Sequence, residues 1–175
     1  MSSSNSQFID KLKEVNNLEI IESQSDVKRL SKDFYNYSPI LTEILDGCIA
    51  DLVVRPSDHN AVKKVAEICW KFSIPLTLRG SGTGNYGQSV PLFKGVVMHM
   101  SCLNKLEEFD PDTGFVKVQS GCLMGDLNKQ LEKYGRELRL LPSTWKTATI
   151  GGFIAGGSGG IGSIRWGFLR DPGNL

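Results

Sequence analysis

The residues best suited to chemistry in this 175-residue chain lie in Leu76 to Val90, LTLRGSGTGNYGQSV. Arg79 leads into Gly80, Ser81, Gly82, Thr83, Gly84 and Asn85, followed by Gly87 and Gln88. Glycine has no Cβ and takes positive φ freely, so such a loop lets several main-chain N–H groups converge. Converging amides make a concave, partly positive nest that suits phosphate oxygens. The chemistry is therefore the holding of a nucleotide or dinucleotide, and this loop alone leaves open which.

Several glycine motifs compete. Gly82 to Gly87 fits G-x-G-x-x-G after a strand, but Gln88-Ser89-Val90-Pro91 follows where a dinucleotide fingerprint needs a helix. No acidic residue ends the next apolar run, GVVMHM, where a ribose hydroxyl would be held. Further on, Gly156-Gly157-Ser158-Gly159-Gly160 fits G-x-S-x-G, the serine-hydrolase elbow. That motif needs an acid and then a histidine downstream, whereas His59 and His99 both lie upstream. Neither glycine region contains the G-x-x-x-x-G-K-[ST] of a phosphate-binding P-loop.

The elements that must carry these loops can be read from the apolar pattern. Asp51 to Arg55 is a strand stopped by Pro56, and Ser57 is placed to cap a helix running to about Phe72. Pro75 to Arg79 is the next strand, giving a βαβ unit with parallel strands. Gly95 to Met100 is a buried strand, and His99 within it reads as a core histidine. Asn104 to Phe109 and Phe115 to Gln119 flank the turn Asp110 to Gly114, forming a hairpin. Leu123 to Tyr134 is a helix ended by Gly135, and Leu138 to Leu141 a short strand. Thr149 opens the second glycine region. Residues 1–45 read as two helical pieces around the apolar stretch Leu18 to Ile21, with no chemistry of their own.

Composition narrows the class. With 40% hydrophobic and 22% charged residues the chain is an ordinary globular one, and a net charge of +1 gives no nucleic-acid signature. No apolar run reaches the roughly 20 residues of a membrane span, and MSSSNSQFIDKLKEV has no basic stretch followed by an apolar one, so no secretory signal is expected. Cys48, Cys69, Cys102 and Cys122 form no C-x-x-C pair, and with so few histidines no metal site is expected. Reduced, mostly buried thiols fit a cytoplasmic protein.

Taken in order, RGSGTGNYGQSVPL, GVVMHMSCLNKL, VKVQSGCLMGDLNKQL, LLPSTWKTATIGGFIAGGSGG and RWGFLRD carry a resemblance. Over about Asp51 to Asp171 the chain is similar to the FAD-binding domain of the p-cresol methylhydroxylase and vanillyl-alcohol oxidase superfamily. The glycolate oxidase and D-lactate dehydrogenase branch looks nearest. The resemblance implies an α+β fold, a small parallel βαβ subdomain followed by a mostly antiparallel sheet subdomain, incomplete at its C-terminus. Residues 1–48 would be an N-terminal helical extension and 49–175 the flavin domain.

It also implies roles. Gly80, Ser81, Gly82, Thr83 and Gly84 would wrap the FAD pyrophosphate, with Asn85, Gly87 and Gln88 completing the turn. Arg79 would add charge to this cradle or serve as a surface ion pair. Pro142 and Ser143, with Thr149, Ile150, Gly151 and Gly152, would line the flavin ring and its ribityl linker, and Gly121 would add a main-chain contact. Trp145 and Trp166 read as packing residues. Some family members bind flavin covalently through a first-loop histidine; Thr83 stands at the matching position, so non-covalent FAD is expected. A complete member oxidises an alcohol or 2-hydroxy acid by hydride transfer to flavin N5. No residue here is a convincing general base, so the small-molecule substrate would be met by a domain not in this sequence. An incomplete sheet would expose an edge and favour self-association or a partner chain. The alternatives are a non-catalytic flavin-binding or interaction module and a sister flavoenzyme such as the reductase of cell-wall precursor synthesis.

Overall fold

Strands that are apolar on both faces set the architecture of the first half. The computed structural model describes residues 3–157 and 159–172, in two compact units, Met1–Cys102 and Leu103–Leu175. In the first unit, β1 (Leu18–Ile21), β2 (Leu52–Pro56), β3 (Leu76–Arg79) and β4 (Val96–His99) form a four-stranded sheet in the order β1-β2-β4-β3. β2 and β3 both run parallel to β4, as the βαβ reading requires, while β1 is antiparallel to β2. β4 inserts between β2 and β3, pairing Val96 with both Leu52 and Leu76.

Helices α1 (Ser3–Lys13) and α4 (His59–Lys71) cover one face, where Phe8 and Leu12 meet Leu52, Val54, Val65 and Met98. Helix α2 (Gln24–Leu30) covers the other, setting Val27 and Leu30 against Val53 and Val97. Successive residues of β2 and β4 thus face two helical layers, and for that reason Leu52 to Val54 and Val96 to Met98 read as continuous apolar runs. Each fully buried side chain of this kind contributes about 1.5–3 kcal/mol. Leu18 to Ile21 is strand β1, so the N-terminal segment supplies part of the sheet as well as helices. A short helix α3 (Pro39–Leu45) places Leu45 in a small cluster with Tyr35 and Val90.

The cap of α4 lies one residue later than expected. Asp58 accepts the Ala61 N–H at 2.7 Å, while the Ser57 hydroxyl donates to the Asn17 carbonyl.

In the second unit β5 (Leu106–Phe109) and β6 (Val116–Val118) pair antiparallel. The Asp110 carboxylate closes their turn by accepting from the Asp112 N–H and the Thr113 hydroxyl. Helix α5 (Met124–Glu132) lays Leu127 and Leu131 against Leu106, Phe109, Val116 and Val118. Helix α6 (Ile150–Gly156) sends Phe153 into a cluster with Met124, Leu140, Ala148 and Leu169, and α7 (Ser163–Trp166) follows. The strand expected over Leu138 to Leu141 reduces to one bridge between Leu141 and Ile161. Asn128 Oδ1 takes the Leu138 N–H at 2.9 Å, so a side chain replaces the ladder there. Among the described residues no helix is long and apolar enough to cross a membrane.

Candidate functional site

The first glycine loop springs from the end of β3. Arg79, its last strand residue, is 7% exposed, which excludes the surface ion pair. Its guanidinium lies beneath the loop. Nη1 donates to the Lys32 carbonyl at 2.6 Å and to Ser89 Oγ at 3.3 Å, and Nη2 reaches the Ser81 carbonyl at 3.4 Å. The two ends of the loop are thereby tied to each other and to the segment before α3. Burial pushes the Arg79 pKa down, and the charge of Asp33 opposes that shift.

Gly82 has φ +70°, and a Cβ built on it would collide with the Arg79 guanidinium. Glycine is required there by backbone conformation and by space together. The turn is closed by the Gly87 carbonyl accepting the Val90 N–H at 3.1 Å, and Gln88 Oε1 takes the Tyr86 N–H at 3.4 Å. Gly80 to Gly84 are half-buried, Asn85 and Gln88 exposed. Among the described residues the main-chain N–H groups of Gly80 to Asn85 find no protein acceptor. Half-buried amides ordinarily pair with protein, water or ligand. A run of them held open over a buried guanidinium is a donor array for an anion.

The residues that hold this loop include several that the sequence did not mark. Phe34 N–H donates to the Gly84 carbonyl at 2.8 Å, and Leu45 stands where a Gly87 side chain would go. Asp33 is 8% exposed; its Oδ1 accepts the Tyr35 N–H at 2.9 Å. The only signal in the sequence is an acidic residue set beside Phe34, Tyr35 and Tyr37.

His99 pairs in register with Arg79, half-buried at the start of the loop. Burial lowers its pKa from 6.5 to about 4, reinforced by Arg55, Arg79 and Arg29, while the Gly80 main chain opposes the shift. The native state therefore binds fewer protons than the unfolded chain from about pH 4 to about 6.5, and stability rises with pH across that window. Between about pH 7 and about pH 5, His99→Gln should lose less stability than wild type by urea unfolding. Equal losses would contradict a neutral, desolvated His99.

In the second unit, the other predicted residues are strongly engaged. Thr149 is buried and caps α6, its Oγ1 accepting the Gly152 N–H at 3.2 Å. Ile150 N–H donates to the Cys122 carbonyl at 2.9 Å, and Gly151 N–H to the Ser120 carbonyl at 2.9 Å. Gly121 N–H donates to the Leu103 carbonyl at 2.7 Å. Pro142 is half-buried and Ser143 exposed, at the start of a turn in which Trp145 N–H bonds the Pro142 carbonyl. The Arg139 and Arg165 guanidiniums lie over the exposed Trp166 ring, 4.9 and 4.7 Å from its centroid. Ser158, centre of the G-x-S-x-G match, lies outside the described residues. Among the described residues no group of three His, Cys, Asp or Glu could hold a metal.

A strand leading into a glycine loop of free amides, on a mixed sheet with helices on both faces, fits a nucleotide-holding domain. The family model described as an FAD binding domain matches residues 50–172, and the chain belongs to that family. It is 33% identical over 121 residues to the D-lactate dehydrogenase of Anaerostipes hadrus, covering 69% of this chain and 25% of that protein. It is 31% identical over 121 residues to the glycolate oxidase subunit GlcD of Bacillus subtilis, covering 69% and 26%. The chain thus spans about a quarter of the length of these curated relatives. Among solved structures, alkyldihydroxyacetonephosphate synthase matches its fold with a TM-score of 0.80 at 22% identity, over 95% of this chain and 34% of that one. The resemblance to the FAD-binding domain of this superfamily, and the mixed α+β fold it implied, are borne out.

Proposed function

We propose that this chain is the FAD-holding part of a flavin-dependent oxidoreductase that oxidises a 2-hydroxy acid of the glycolate or D-lactate type. The observation that carries the reading is the run of main-chain N–H groups from Gly80 to Asn85 without acceptors among the described residues. A pyrophosphate presents several acceptor oxygens and about two negative charges, which such an array and one buried guanidinium can hold without a basic cluster. Bound FAD supplies the hydride acceptor. The residues of this chain bind and orient it: Gly80 to Gly84 grip the phosphates, Asn85, Gly87 and Gln88 shape the turn, and Arg79 sets its base. Pro142, Ser143, Thr149, Ile150, Gly151, Gly152 and Gly121 form the framework on the ring side, with the amides of Ile150, Gly151 and Gly121 spent on internal bonds. Thr83 offers no nitrogen nucleophile, so the flavin is held without a covalent bond. The substrate class comes from the D-lactate dehydrogenase and glycolate oxidase relatives.

The test is direct. Incubated with FAD and passed through a gel-filtration column, the chain should emerge yellow, with the two absorption bands of oxidised flavin. Acid precipitation should release all of the flavin into the supernatant. A colourless protein would overturn the reading, and flavin left in the pellet would overturn the non-covalent part of it.

A further inference from the structure

Beneath the glycine loop lie two charged side chains, each more than nine-tenths buried. Asp33 comes from the turn before α3 and Arg79 from the end of β3. Each keeps one fully buried polar atom without a partner, Asp33 Oδ2 and Arg79 Nε. Both face the same loop. A Cβ built on Gly84 would stand 3.5 Å from Asp33 Oδ2, and one built on Gly82 would strike the Arg79 guanidinium. The main chain on either side of Asp33 is tied to the loop as well, Lys32 through Arg79 Nη1 and Phe34 through the Gly84 carbonyl. Lys32, Asp33 and Phe34 precede the matched span 50–172, whereas Arg79 and the loop lie within it.

We propose that Asp33 is the buried counter-charge of Arg79, beyond ion-pair distance, and that the two together fix the loop from below, making Asp33 a positioning residue for the cofactor's pyrophosphate. The inference rests on the FAD-holding reading of the loop. A buried guanidinium without a counter-charge is costly, so it would shift toward water and carry Gly82 with it. Asp33 offsets part of that cost, and its Oδ1 is held by the Tyr35 N–H. The counter-charge also lowers the positive potential at the loop. The segment therefore acts by geometry rather than by attracting the anion. The influence of Asp33 on Arg79 in the native fold agrees with this pairing.

Asp33→Asn keeps the acceptor for Tyr35 and removes only the charge, and Arg79→Lys keeps the charge and removes the guanidinium fork. Amide hydrogen exchange of the ligand-free full chain should accelerate about tenfold or more at Phe34 and Val90, whose N–H groups bond the loop carbonyls of Gly84 and Gly87, in both variants, with β2 and β4 unchanged. FAD affinity, read by flavin fluorescence, should fall about tenfold in each, and the double variant should be no weaker than the worse single one. Unchanged exchange at Phe34 and Val90 in Asp33→Asn, or tighter FAD binding by it, would overturn the proposal. Exchange that rises equally in β2 and β4 would also overturn it, because Asp33 would then be only a stabiliser of the fold. If the wild-type chain itself fails to bind FAD, the functional reading falls, while the exchange measurement still decides whether Asp33 holds the loop.

Discussion

Gly82→Val should lower FAD affinity by at least about 30-fold, equivalent to roughly 2 kcal/mol, while leaving the sheet intact. A branched residue at φ +70° is strained wherever it stands, and here its Cβ would also enter the Arg79 guanidinium. That guanidinium cannot simply swing away, because it bonds the Lys32 carbonyl, Ser89 Oγ and the Ser81 carbonyl. The loop must rotate instead, and on the proposed reading its N–H groups then miss the pyrophosphate oxygens. Charge-assisted hydrogen bonds of this kind need donor and acceptor within about 2.7–2.9 Å, so a small rotation removes several of them. Gly84→Ala is the internal control. Its φ is not positive, and its Cβ would meet the amide end of Gln88, an exposed and adjustable side chain. Its loss should be several-fold smaller. Isothermal titration with FAD, beside a thermal melt of each variant, checks the ranking. Wild-type affinity in Gly82→Val would show that the pyrophosphate lies elsewhere.

Much of this arrangement is legible in the sequence, and the parts that are not share a physical cause. The order of β2, α4 and β3, the burial of β4 and the Asp110 turn follow from local patterns: apolar runs, helical spacing and turn residues. The insertion of β4 between β2 and β3 does not, because strand order is decided by which edges remain free once helices cover both faces. Asp33 is invisible for the same reason. It lies 46 positions before Arg79 in the chain, and nothing near it announces a buried charge partner. Capping by Asp58 in place of Ser57 is a choice between two adjacent residues that both accept hydrogen bonds well, decided by Ser57 bonding back to Asn17. The second glycine region reads as a loop, yet Ile150–Gly156 is a helix. Glycine propensity disfavours it, and the Thr149 cap together with Phe153 buried in the core overrides that preference.

That helix offers the second large expected effect, and it separates two explanations for its glycines. Gly151→Ala should destabilise the ligand-free chain by about 1–3 kcal/mol, the usual cost of forcing extra volume into packed structure. Gly156→Ala should stabilise it by about 0.5–1 kcal/mol, the ordinary gain of alanine over glycine in a helix. A Cβ on Gly151 would lie 2.7 Å from both the Ser120 carbonyl oxygen and the Ser120 Cβ. The obstacle is backbone, fixed by the Gly151 N–H bond to that carbonyl and by the neighbouring bond from Ile150 N–H to Cys122. Gly156 has nothing within 4 Å of its would-be Cβ. Were Gly151 present only to let a flat ring approach, its replacement would weaken flavin binding and leave the apo-protein's stability untouched. Urea unfolding without FAD therefore distinguishes the two: a loss in Gly151→Ala assigns this glycine to the close run of residues 120–123 against 148–151. The flavin would then meet a surface whose shape is set by internal packing, and variants at Gly151 would change cofactor affinity only through that surface.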